Sequence, residues 1–168
     1  MSSRSDYSDG EWTLLRELPF KIILATIVSD VHGVVGSAGK ETIVGARQLV
    51  ADGKDLLTVP LIAALLLEMA TEGVGPDDAP IKLRDEEART AAMDLALSES
   101  DGAARILGEK AAPEETAAYK RWVYGAATSV TTAAKSGGVV GLGAKLVSDD
   151  ETEFLERLAG ALAFDPEA

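Results

Sequence analysis

Residues 19–42 read PFKIILATIVSDVHGVVGSAGKET, and this stretch decides the fold. Between Phe20 and Val31 the apolar positions are too dense for the one-sided stripe of a surface helix, so the segment is expected to be a core helix. Proline suits the first turn of a helix, and Pro19 is read as opening it. A glycine-rich loop, His32–Lys40, follows, and then a helix over roughly Glu41–Ala51 that Gly53 ends. The tetrapeptide Gly33-Val34-Val35-Gly36 recurs as Gly138-Val139-Val140-Gly141, at an offset of 105, and Lys145 answers Lys40 at the same offset. In both places a long apolar helix precedes the loop and an amphipathic one follows. Two such units suggest pseudo-symmetric halves built around Phe20–Val31 and Tyr119–Val130.

Working outward, residues 1–8 read as a frayed tail. A first helix starts near Asp9 and carries Trp12, Leu15 and Leu18. Pro60 opens a very apolar helix, LIAALLLEMA, that stops near Gly73, and GVGPDDAP (73–80) crowds turn residues together as a loop. Amphipathic stretches follow at Arg84–Leu97 and Asp101–Lys110, with Asp101 placed to cap the second. Pro113, Glu114 and Glu115 start a long helix to about Lys135, on which Tyr119, Trp122, Val123, Ala126 and Val130 share one face. Ser148 and Glu151 have capping-box spacing ahead of the stripe Phe154, Leu155, Leu158. The expected architecture is an all-α bundle of about six or seven helices, one domain over 9–164, with short tails at 1–8 and 165–168.

Composition agrees with that class. Aromatic residues are only 5 % of the 168, fewer than an all-β core needs. Twenty-eight acidic residues against 16 Lys and Arg leave a formal charge of −12. Such a surface repels phosphate backbones, so nucleic-acid binding is not expected. The chain has no cysteine, which removes disulfides, thiol catalysis and cysteine-based zinc sites. Its apolar stretches Ile22–Val28 and Val59–Leu67 fall short of the roughly 20 residues of a membrane span. The polar N-terminus lacks the apolar core of a signal peptide, and a soluble, cytoplasmic protein is expected.

Several chemistries invite a test. The loop before Lys40 misses the phosphate-binding P-loop spacing, which would put glycine at Val34 and a hydroxyl at Glu41. Asp30 and Glu41 stand at positions 1 and 12 of a calcium-loop spacing, so a divalent cation is the one cofactor considered, with those two residues as ligands. Val34 and Val35 break the pattern between them. Ser29, Asp30 and His32 are too close in sequence for a hydrolase relay, and no serine sits in a nucleophile elbow. A single histidine, without a Glu three residues before it, does not build a di-iron site.

The helix PFKIILATIVSD, the Asp-containing glycine loop after it and the helix beginning near Glu41 resemble the tellurite-resistance TerB-like family. The terminal SGGVVGLGAKLVSDDETEFLERLAGAL is similar in style, and the resemblance covers most of residues 17–163. It implies an internally duplicated, cytoplasmic helical bundle with divalent-metal binding and a place in stress-response complexes near the membrane. Of the family's acidic loop positions, only Asp30 and Glu41 are matched, while His32 and Val34 depart from it.

No catalytic constellation emerges, so the expected function is a non-enzymatic structural or partner-binding module. Its partner would be a protein, or a second copy, docking on an apolar patch near Val139, Val140 and Leu142. The alternatives are a cation-binding stress-response module using Asp30 and Glu41, and an apolar small-molecule binder with a pocket near Trp122.

Overall fold

Capping decides where the first long helix begins. Ser8 accepts from the Glu11 backbone N–H at 3.3 Å, and its own N–H donates to the Glu11 carboxylate at 2.7 Å. This reciprocal pair opens α1, Asp9–Ser29. In the computed structural model, which describes residues 2–30, 38–72, 85–136 and 148–167, five more helices follow: α2 (Ala38–Asp55), α3 (Pro60–Glu72), α4 (Glu86–Lys110), α5 (Pro113–Ser136) and α6 (Asp149–Ala161). The fold is an all-α helical bundle, with no strand among the described residues. Among them, no helix is long and apolar enough to cross a membrane.

The expected boundary at Pro19 is corrected: α1 runs through it unbroken. Proline has no N–H, so the carbonyl four residues before it, that of Leu15, loses its helical partner. The Tyr119 hydroxyl of α5 donates to that carbonyl at 2.7 Å, which is why the helix is not obliged to end. Two other boundaries move for local reasons. Asp101 caps nothing, because α4 continues through it and Ser100 donates back to the Ala96 carbonyl at 2.7 Å. The cap is Asp85, which accepts from Glu87 and Ala88 N–H. Gly53 lies inside α2 rather than ending it. The capping box of Ser148 and Glu151 opens α6 as the spacing predicts.

Residues 2–7, expected to fray, fold back. Arg4–Asp6 make a turn of 3-10 helix, and Tyr7 and Ser2 are both buried. Ser2 donates through its backbone N–H to both Glu115 oxygens at 3.1 Å, and through its hydroxyl at 2.7 Å. The Tyr7 ring meets Trp12 with centroids 5.5 Å apart.

The core gathers on α1, which packs against each of the other five helices. Trp12, Leu15, Leu18, Ile22 and Ile23 are buried there with Tyr119, Trp122 and Phe154. Glycine permits the tightest meeting. A Cβ placed on Gly45 would stand 2.7 Å from Val130 Cγ2 and 3.1 Å from Ile23 Cγ2, so α1, α2 and α5 converge at a position that excludes a side chain.

Candidate functional site

Among the described residues, three of the four large apolar side chains that are exposed lie on the α2–α3 hairpin, and the fourth, Leu95, lies on α4. Helix α3 buries Leu61, Ile62, Leu65 and Met69, and these four make its inner face. Its other positions are hardly less apolar. Ala63, Leu67 and Ala70 recur at i, i+4 and i+7, and Leu67 is 68 % exposed. In the turn after α2, Leu57 is 53 % exposed, and Val50, seven residues earlier, is 40 % exposed. Among the described residues, α3 packs against α1, α2 and α5 and leaves Leu67 and Ala70 exposed.

The inner edge of α3 is fixed firmly. The Trp12 indole N–H donates to Glu68, and Arg16 bridges Glu68 at 3.3 Å and also pairs with Glu72. On the α2 side, a Cβ on Gly53 would come within 2.7 Å of Leu66 Cδ1 and 3.2 Å of Trp122 Nε1, so the hairpin closes on a glycine. These contacts hold the hairpin in a fixed pose with Leu67 directed away from the core. The rim is charged and net acidic, with Asp52, Lys54 and Asp55 on the last turn of α2 ahead of Leu57.

The residues singled out in the sequence fall elsewhere. Asp30 is the partly buried C-cap of α1, in extended conformation. Glu41 belongs to the first turn of α2 by its backbone, and its side chain lies outside what is described. No three acidic or histidine side chains cluster as metal ligands among the described residues. Val139, Val140 and Leu142, like His32 and both glycine tetrapeptides, lie outside the described residues. Trp122 is a core residue, 2 % exposed, whose indole N–H donates to the Leu49 carbonyl at 2.8 Å.

The sequence marks LIAALLLEMA as a very apolar helix without singling out Leu67. The signal was available in the count of apolar positions, which exceeds what one buried face can absorb. No family model, curated protein or solved structure matches this chain.

Proposed function

We propose that the protein is a non-enzymatic partner-binding module that docks another protein on the outer side of the α2–α3 hairpin. The observation that carries this reading is Leu67, a large aliphatic side chain 68 % exposed on a helix pinned from behind. Exposed apolar surface that is held rigid and rimmed by charge is the usual form of a docking site. The occupant is a basic segment with apolar anchors, because the chain carries a charge of −12 and the turn of α2 ahead of Leu57 sets two aspartates against one lysine. Like-charge repulsion disfavours a second copy of the same chain. The TerB-like resemblance points the same way, since it implies membership of larger complexes.

The test is a photo-crosslinking amino acid placed at position 67, with Glu109 on α4 as the control position, irradiated in cells expressing the full chain. A discrete adduct from position 67, absent from 109 and lost on adding Leu57→Lys, supports the reading. A crosslinked homodimer replaces the heterologous partner with self-association. No adduct at 67, or the same adducts from both positions, removes the hairpin as the docking surface.

A further inference from the structure

On the far side of α5 lies a cleft that the hairpin reading does not use. We propose that this cleft, bounded by the C-terminal end of α4, the first turns of α5 and the turn after α6, binds a small amphipathic anion: an apolar body bearing one carboxylate or sulfonate.

The cleft measures about 440 Å³, within the roughly 300–1,000 Å³ usual for small-molecule sites. Its floor is one stripe of α5, with Pro113, Thr116, Ala117, Lys120 and Arg121 at i, i+3, i+4, i+7 and i+8. The first part of that stripe is mostly apolar and the last is cationic, so the floor is itself amphipathic. Phe164 forms the opposite wall, held against Tyr124 with ring centroids 5.3 Å apart. Gly108 of α4 also lines the cleft, and a Cβ there would meet nothing within 4 Å, so the space beside it is open.

The charges fit an anion. Lys120 spends one donor on the Ala163 carbonyl at 3.2 Å, and an ammonium has three. Arg121 is exposed and has no ion-pair partner among the described residues. Asp165 also lines the cleft and keeps its negative charge, one oxygen accepting from the Glu167 backbone N–H at 2.9 Å, so the lining sets two cations against one carboxylate. Lys120 and Arg121 against Asp165 leave the lining net positive in a chain whose charge is −12 overall.

The wall is built at a conformational cost. Ala163 has φ +46°, the left-handed region that favours glycine. It ends α6 in a Schellman turn, with Phe164 N–H donating to the Ala159 carbonyl at 2.9 Å and Ala163 N–H to Gly160 at 3.0 Å. That turn sets Phe164 on Tyr124 and aims the Ala163 carbonyl at Lys120.

The test titrates the full chain with 8-anilinonaphthalene-1-sulfonate, read by fluorescence, with the uncharged N-phenyl-1-naphthylamine in parallel. The expected result is one saturable site for the sulfonate, weakened about tenfold or more by Arg121→Glu and by Gly108→Phe. Gly108→Phe fills open space and Arg121→Glu alters an exposed side chain, so both retain the wild-type circular dichroism. Leu67→Lys, on the hairpin, leaves the affinity unchanged, which keeps this site separate from the proposed docking surface. Non-saturable binding, equal affinity for the neutral probe, indifference to both cleft variants, or loss on Leu67→Lys would each overturn the proposal.

Discussion

The Tyr119 hydroxyl donates to the Leu15 carbonyl at 2.7 Å, and that carbonyl is the one Pro19 leaves without a helical partner. A defect in one helix is thereby made good by a side chain 104 residues away on another. The tyrosine is fully buried. Burial, and then the charge of Glu99, hold its hydroxyl well above the ordinary value of 10.0, in the protonated form that can donate.

Tyr119→Phe leaves the Leu15 carbonyl buried and unpaired, and should lower stability in urea unfolding by about 1–3 kcal/mol. Pro19→Ala restores an N–H at position 19, so the same tyrosine change made on that background should cost about 1 kcal/mol less. Purely additive effects would mean the two residues do not share this carbonyl. The raised tyrosine also implies a contribution that is whole below pH 10 and lost as pH rises beyond it.

Acid should release the N-terminal turn before the bundle. The Glu11 carboxyl is held down to about 2, first by the Lys110 ammonium donating to it and then by the Ser8 backbone and hydroxyl. Burial alone would raise Glu115, but hydrogen bonds from the Ser2 hydroxyl, the Ser2 N–H and the Ala112 N–H bring it below its ordinary value. Both are depressed carboxylates, so their contribution is present above the unfolded value of 4.5 and is lost as pH falls through the folded values. With 5-fluorotryptophan and fluorine NMR, the Trp12 resonance, whose ring touches Tyr7 and Arg4, should shift between pH 4.5 and 2 ahead of Trp122. Simultaneous shifts would show that the turn and bundle melt together.

Gly45→Ala should destabilise despite alanine's better helix propensity. The new methyl would sit 2.7 Å from the γ-methyl of Val130, a β-branched side chain with little freedom to turn away. A loss of about 1–3 kcal/mol is expected from thermal or urea melts. Gly125→Ala, where a Cβ meets nothing within 4 Å, is the control, and should gain up to about 1 kcal/mol.

Ala163→Gly should raise stability by about 1 kcal/mol, because glycine occupies a φ of +46° without the Cβ penalty. The gain is partly offset by the greater freedom of the unfolded chain. A fall in stability in differential scanning calorimetry would mean the alanine methyl makes a contact worth more than the strain.

The helical class and several helix starts were legible because they rest on local chemistry: the spacing of Ser148 and Glu151, Pro60 and Pro113 at first turns, the stripe from Tyr119 to Val130. Most of what was not legible was settled by partners distant in sequence. Pro19 reads as a boundary until Tyr119 is known to lie beside Leu15. Residues 2–7 read as a tail until Glu115 is known to hold Ser2. Asp101 reads as a cap because acidic residues often are, and only the continuous ladder of α4 denies it the role. The exposed Leu67 was concealed by the same logic, since a one-dimensional pattern shows that a helix is apolar but not how many of its sides find neighbours.

That α1 touches every other described helix bears on how the chain is made. It leaves the ribosome before α2 to α6, and α4 and α5 follow only after residue 85. At about 5–20 residues per second, the apolar surface of Ile22–Val28 waits several seconds for cover. The helix that organises the finished bundle is therefore also its longest-exposed hazard during synthesis. A cell lacking its nascent-chain chaperones should lose this protein to aggregation through that segment.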